Sequence, residues 1–437
     1  MPADFNRRQT LALGLASTLA GAATAAPVSG PAQPSLLEDA LHYASLGPHR
    51  TGSPGNFRTL DWMEGRFSAL GFKVDRQQIR YPDHEVRQAL IRVADTTIEG
   101  IPQHPACPTG KDGLRAPLVL ADDQAGRIPV RGRIAVVRLP YARHSSILEG
   151  RTAGPIRAAL EAGCAGLVLI TRGPSADALA LNAPIQHPIS SVPTLVIAPR
   201  DAKPLIAAAA RGDEAQLVME AAPAQAESAN LIAHRPGRGR SIVVSTPLSG
   251  WFACAGERGS GVAAFLRLAR LLADTQPGAD LLFTGFVGHE REYFGGDLFM
   301  QERAPPRDRV RLWVHIGAGF AARDWHEISD TQLMPLPSTD AQRYLLAPEG
   351  WIDQIRPTLR GLPGYEVPYP ATVENSSGEA RHIMERGYTR MISTVGAHRL
   401  HHSRRDDAQV IDAVGLEASW QGWSRMLLQV LSKQAAS

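Results

Sequence analysis

A chain of 437 residues is too long for one small core and fits two domains of ordinary size. Its apolar fraction of 44% and charged fraction of 20% are normal for a soluble globular protein. The net charge of +3 is small for this length and the basic residues form no run or stripe, so there is no electrostatic case for nucleic acid.

Arg7 and Arg8 precede a mildly apolar stretch from Leu11 to Ala25, which closes on Ala23-Thr24-Ala25. This is a charged n-region, an h-region and a small-residue cleavage site, with the cut expected after Ala25. The paired arginines and the Ala/Gly-rich core resemble a twin-arginine export signal; an ordinary Sec signal stays open, because Thr10 stands where a stronger apolar residue is usual. Either route places the mature protein in the periplasm or outside the cell. The stretch is shorter than the ~20 residues of a membrane helix, and no other segment is long enough to span a bilayer. Residues 26–34, rich in Pro, Ala, Gly and Ser, read as a disordered lead-in.

A helix is expected over Leu36–Leu46, then a loop from Gly47 to Gly55, then a second helix from about Arg58 to Leu70 with Leu60, Met63, Phe67 and Leu70 on one face and Gly71 at its end. Phe72–Tyr81 opens with strand-like alternation. Residues 99–222 look like a separate small α/β unit: strands at Leu118–Ala121, Ile134–Arg138, Leu167–Ile170 and Val192–Ile197, and helices at Pro155–Ala162 and Ala202–Ala210. This stretch holds no acid–base cluster, so its expected role is structural or substrate-shaping. From Asn230 the pattern restarts, with strands at Ile242–Ser245, Leu281–Val287, Leu312–Ile316 and Arg390–Thr394, an amphipathic helix at Val262–Ala273 and a closing helix at Leu416–Leu431. The expected fold is α/β, a largely parallel sheet covered by helices on both faces, with residues 35–98 and 223–437 forming one domain and 99–222 inserted in it. Polar clusters follow its strands: His289-Glu290, His315 and His401-His402. Of the three cysteines at least one thiol is free; Cys107 and Cys164 are either paired or two buried thiols.

Several of these segments resemble the M28 family of zinc aminopeptidases carrying an inserted protease-associated domain. The resemblance rests on Gly52-Ser-Pro-Gly55 and the helix after it, on Gly132-Arg-Ile-Ala-Val-Val137 and Ala162-Gly-Cys-Ala-Gly-Leu-Val168 in the inserted unit, on Asn230-Leu-Ile-Ala…Pro-Gly237, and on Gly259-Ser-Gly261 opening a helix. It implies a site of two zinc ions with five ligands: a His-x-Asp-Ser turn, a bridging Asp before Ser-Gly, the second Glu of a Glu-Glu pair whose first Glu is the base, an Asp ending a strand, and a late His. The chain departs from this set. The turn reads Pro247-Leu-Ser-Gly250, the bridging Asp is Glu257, the pair is His289-Glu290, the strand-end Asp is His315, and the late His is kept as His402 in His402-Ser-Arg-Arg-Asp406.

Carried over residue by residue, the resemblance implies one metal position with Glu257, Glu290 and His402 as ligands and an open fourth place, as in catalytic zinc sites. The second position keeps Glu257 and His315 alone, so a single zinc ion is expected, with His289 as general base; imidazole, with an ordinary pKa of about 6.5, suits that task. The expected activity is hydrolysis of a peptide, amide or related bond in a peptide-like or small-molecule substrate. The alternative is a non-catalytic binding protein whose protease-associated unit carries a partner surface. His289-Glu-Arg-Glu-Tyr293 falls short of a His-Glu-x-x-His helix because Tyr293 replaces the second His, Gly317-Ala-Gly-Phe-Ala-Ala322 lacks the helix and acidic partner of a dinucleotide loop, and no Gly-x-Ser-x-Gly elbow is present.

Overall fold

The computed structural model of the chain describes residues 34–121, 129–143, 146–329 and 332–435; the expected export signal at 1–25 lies outside them. Helix α1 (Leu36–Ser45) opens on a capping box, in which Ser35 Oγ accepts from the Glu38 amide and the Glu38 carboxylate accepts from the Ser35 amide. Helix α2 (Pro54–Ala69) starts before Arg58, where periodicity alone places it. The reason is local: Ser53 caps the Asn56 amide and Pro54 arrives with its φ already helical.

The chain continues through strands β1 (Lys73–Val93), β2 (Thr96–Glu99), β3 (Ile101–Pro102), β4 (Leu114–Leu120) and β5 (Ile134–Tyr141), helix α3 (Gly150–Glu161), strands β6 (Gly166–Arg172) and β7 (Thr194–Ile197), and helix α4 (Lys203–Arg211). Strands β8 (Glu214–Arg235) and β9 (Arg238–Pro247) lead to a π-helical turn at Ala255–Gly259 and helix α5 (Ser260–Thr275). Strand β10 (Ala279–Phe286), helix α6 (Phe294–Glu302) and strand β11 (Val310–Ile316) follow, then a hairpin of β12 (Arg323–Ser329) and β13 (Gln332–Thr339). The remainder is β14 (Arg343–Ala347), α7 (Ile352–Ile355), β15 (Tyr369–Pro370), α8 (Gly378–Glu385), β16 (Met391–Gly396) and α9 (Ala413–Ala435).

The sheet is mixed and largely parallel, as expected. Strands β16, β11, β9 and β10 run parallel, flanked by antiparallel β14 and β8. Strands β4, β5, β6 and β7 form a second parallel run, reached from β8 through the antiparallel pair β4–β8. The long ribbon of β1 and β8 pairs from Lys73 opposite His234 to Val93 opposite Ala215. Sequence alternation marks only its first residues, since Pro82 and Pro223 argue against a central strand and its pairing joins segments more than a hundred residues apart. Cys107, Cys164 and Cys254 are all free thiols. Among the described residues no helix is long and apolar enough to cross a membrane.

Both faces of the parallel strands are buried, which is why they read as unbroken apolar runs. Ile242 and Val244 pack with Leu312 and Val314 on the face covered by α1, α2, α5 and α9; Val243 and Trp313, one residue out of phase, pack on the other face with Phe299, Ile383 and Met384. Phe67 lies at the centre of an aromatic group, with its ring 5.4 Å from each of Phe72, Phe265 and Phe283. These fully apolar contacts tie α2, α5 and β10 together. Phe283→Ala is therefore expected to destabilise the fold by about 3–5 kcal/mol in urea unfolding, whereas Val414→Ala, at a side chain 81% exposed, changes it by less than about 0.5 kcal/mol.

Candidate metal centre

The parallel strands end on one side, and their outgoing loops carry the polar clusters. After β9, Cys254 adopts φ 49° and the π-helical turn places Glu257 before α5 begins. π-turns are rare and concentrate at functional sites. After β10, Gly288 turns with φ 76° and the next residues, His289 and Glu290, form a 3₁₀ turn that ends at Glu292 (φ 53°) and Tyr293 (φ 65°). His402 in the late loop has φ 59°. Four non-glycine residues in the left-handed region thus surround one place, the kind of strain that persists only where the neighbourhood holds it.

The holding contacts are identifiable. Asn230 on β8 accepts from the Val287 amide and donates to the Gly295 carbonyl, pinning both ends of the His289 loop. Thr51 Oγ1 accepts from the Gly288 amide, and Ser249 Oγ accepts from the His289 amide. Asp406 accepts from the amides of Gly256 and Glu257 at 2.7 and 3.0 Å, joining the late loop to the π-turn. Ala180, from the 99–222 stretch, donates its amide to the His402 carbonyl and accepts from His402 Nδ1, both at 2.9 Å.

These loops bring Glu257, His289 and His402 together, with one ligand atom of each within 4.8 Å of the others and all three buried. Three imidazole Nε2 atoms face Glu257 Oε1: His402 at 3.6 Å, His401 at 3.7 Å and His289 at 3.8 Å. Those distances are too long for hydrogen bonds. Two ligands each ~2.0–2.1 Å from a tetrahedral zinc ion lie about 3.4 Å apart, so the arrangement is slightly wider than a zinc shell. Both Glu257 oxygens and His402 Nε2 are buried without a hydrogen-bond partner. His289 Nδ1 is 2.7 Å from Glu379 Oε1, which makes Nδ1 the donor and turns the Nε2 lone pair to the cluster; the Ala180 carbonyl does the same for His402. The donor set fits zinc.

Electrostatics single out the roles of the carboxylates. Burial alone would push Glu257 up, but the Arg258 guanidinium, 2.6 Å away, with His401 and His402, holds it well below the usual range. Burial likewise opposes ionisation of Glu379, yet His289, Arg258 and His315 hold it down to about 2. Glu292 differs: burial raises it, against its Ser146 hydrogen bond and the nearby histidines. A cavity of about 450 Å³ lies over the cluster, walled by His289, His315, Glu379, His401 and His402, with Ser146, Glu149 and Asn182 from the 99–222 stretch opposite.

The structure distributes the expected site residues differently. Glu290 joins no group of three potential ligands among the described residues; its carboxylate accepts from the Thr51 amide (2.6 Å) and from Ser249 Oγ (2.8 Å), tying those loops together. His289, expected as base, instead stands with Glu257 and His402 in the ligand group. His315 belongs to no group of three potential ligands among the described residues; its Nδ1 is 2.8 Å from Ser245 Oγ. Sequence spacing passes over Glu379, Arg258 and Glu292 and marks His401 only beside His402; no spacing rule links Glu379, on α8, to His289, and the fold brings them together.

Burial also holds His315 and the distant His49 neutral, with pKa values lowered to about 4 and about 3. A histidine depressed in the folded state stabilises above its ordinary value and loses that contribution on acidification. Thermal stability is therefore expected to fall as pH drops from about 6.5 toward 4 and below, and His49→Gln to flatten that slope; a wild-type melting temperature constant over this window contradicts it.

Neither the protein-family models nor the curated proteins contain a match to this chain. Solved structures do match. The zinc aminopeptidase BSAP from Bacillus subtilis superposes with a TM-score of 0.69 at 15% identity, over 90% of this chain and 95% of that one. A peptidase M28 precursor from Shewanella amazonensis SB2B gives 0.66 at 16% identity, covering 89% and 93%. An aminopeptidase from Aneurinibacillus sp. strain AM-1 gives 0.57 at 15%, covering 89% and 92%. Over nine-tenths of its length, this chain has the fold of the M28-type zinc aminopeptidases.

Proposed function

We propose that this protein is an exported metal-dependent hydrolase that cleaves a peptide, amide or related bond with one zinc ion held by Glu257, His289 and His402. The observation that carries the reading is the buried group of ligand atoms, Glu257 Oε1 (ion-paired with Arg258) and Oε2 and His402 Nε2, facing His289 Nε2 across a gap too wide for hydrogen bonds. Bound there, zinc supplies a Lewis acid and an acidified water. The fold supports a peptide-like substrate, and the cavity above the cluster gives it room. Residues 99–222, proposed as an inserted protease-associated unit, brace His402 through Ala180 and wall the cavity.

The rest of the machinery follows from the residues. Glu379 fixes the ring of His289 and the Ala180 carbonyl fixes that of His402, so both present lone pairs. Arg258 already supplies one positive charge to Glu257, so the site needs less metal charge than one built from several carboxylates, which favours one ion over two. Glu257 and Glu379 are held ionised, whereas burial pushes Glu292 up from the ordinary carboxyl range, which makes it the carboxyl best suited to proton transfer in this reading. The competing reading, a non-catalytic binding shell, draws on the same Arg258–Glu257 pair, which neutralises the carboxylate without a metal.

Metal analysis separates the two. About one zinc per chain is expected, and Glu257→Gln, His289→Ala and His402→Ala each lose it, while Glu290→Gln keeps it at reduced stability. Glu379→Gln is expected to weaken zinc affinity about 10–100-fold. A protein that neither holds zinc nor takes it up supports the binding shell. In the zinc-loaded protein, Glu292→Gln is expected to keep the metal and lower hydrolysis of aminoacyl 4-nitroanilides on the order of 10²–10⁴-fold; unchanged rates remove Glu292 from the mechanism.

A further inference from the structure

His315 ends strand β11, is 1% exposed and walls the cavity beside His289 and Glu379. Its position was read as that of a metal ligand, yet its hydrogen bonds assign it another chemistry. Ser245 Oγ, on the adjacent strand β9, lies 2.8 Å from His315 Nδ1 and 2.8 Å from Trp313 Nε1. An indole N–H can only donate, so Ser245 Oγ accepts from Trp313. Ser245 is fully buried and, among the described residues, its hydroxyl meets only Trp313 Nε1 and His315 Nδ1, so its own proton goes to His315 Nδ1. Nδ1 is then an acceptor. Burial, reinforced by the charges of Arg258 and His289 and opposed by Glu379, keeps the ring neutral at ordinary pH. The single ring proton therefore sits on Nε2, a tautomer set by the network Trp313→Ser245→His315.

Nε2 has no hydrogen-bond partner among the described residues and lies next to Gly317, where an added Cβ would come within 3.7 Å of it. His315 and Gly317 both wall the cavity, and at Gly317 an added Cβ would run into the Thr394 carbonyl at 2.4 Å, so the backbone there can pass this close only as glycine. A ring whose free nitrogen carries a proton offers no lone pair to a metal, which explains why His315 stands outside the ligand group. It offers a donor fixed in direction, near the end of a sheet strand, on the wall of the cavity.

We propose that His315 Nε2–H is the hydrogen-bond donor to the carbonyl oxygen of the bound substrate, and to the negative charge that develops there during attack. This deepens the hydrolase reading and rests on it. The bond order falls at the carbonyl as the nucleophile adds, the electron pair moves to oxygen, and the donor aimed at that oxygen strengthens without reorganising. His315 gives up no proton; it is returned unchanged when the carbonyl re-forms and the leaving group departs.

Two measurements test it. In the full mature chain labelled with ¹⁵N-histidine, the His315 signal, assigned by its loss in His315→Gln, is expected to show a protonated Nε2 and an unprotonated Nδ1 from pH 8 to about pH 5, and the Nε2–H resonance to shift on adding leucinamide. The opposite tautomer, or no shift at saturating leucinamide, overturns the proposal, and both are read without zinc or turnover. In the zinc-loaded protein with aminoacyl 4-nitroanilides, His315→Leu is expected to lower kcat about 10²–10³-fold with KM and zinc content near wild type. His315→Gln, which can place an amide N–H near the position of Nε2, is expected to recover most of that loss. Full activity in a folded His315→Leu protein overturns the proposal while leaving the hydrolase reading standing. A wild-type protein without zinc or turnover defeats the hydrolase reading, and the leucinamide shift then decides whether His315 is a carbonyl donor.

Discussion

A carboxylate removed entirely from water must be neutralised, and Glu257 imposes that demand at the centre of this molecule. Desolvation of an isolated charge costs far more than a fold can supply. Everything around Glu257 answers to it: the Arg258 guanidinium against one oxygen, three imidazoles at 3.6–3.8 Å, and the amides of the π-turn drawn toward Asp406. Arg258 alone does not complete the shell, because neither Glu257 oxygen finds a well-directed hydrogen bond. The residual demand is for a cation at the point where His289 and His402 converge.

That point exists only because four residues in three loops are held in the left-handed region by contacts from elsewhere. Thr51 and Ser249 meet at Glu290, Asn230 straddles the His289 loop, Asp406 reaches back to the π-turn, and Ala180 grips His402 from both sides. Each is a buried, directional hydrogen bond, so each transmits position rather than merely adding stability. The 99–222 stretch takes part through Ala180, through Asn182, which accepts from Trp251, and through the Ala183 amide on the Glu290 carbonyl. A segment expected to hold no acid–base cluster still determines where an imidazole points.

The altered positions are coherent as chemistry. Where the family resemblance implies an acidic base, the chain places an imidazole whose partner, Glu379, comes from a helix far along the sequence. Where it implies a carboxylate ligand at a strand end, the chain places His315 with its lone pair committed to Ser245. The ligand expected at Glu290 becomes a loop tie. Charge is thus redistributed: fewer carboxylates face the cavity, one guanidinium lies behind it, and the donors and acceptors that remain are oriented by neutral hydrogen bonds.

The sequence by itself determined the layers: helix and strand identity from apolar periodicity, the parallel sheet from alternation of strands with helices, and, through the family resemblance, Glu257, His289 and His402 as site residues, though with Glu290 in the ligand set and His289 as base. These are local properties, carried by residues within a turn or a strand of one another. Only the tertiary structure decided which carboxylate joins the cluster, because Glu257, Glu290, Glu292 and Glu379 are alike in sequence and differ in which distant backbone reaches them. It also decided the β1–β8 ribbon, paired across most of a hundred and forty residues, and the tautomer of His315, set by a serine on the neighbouring strand. Burial and the hydrogen-bond partner fix charge and lone-pair direction, and both are supplied by segments that approach from elsewhere in the chain.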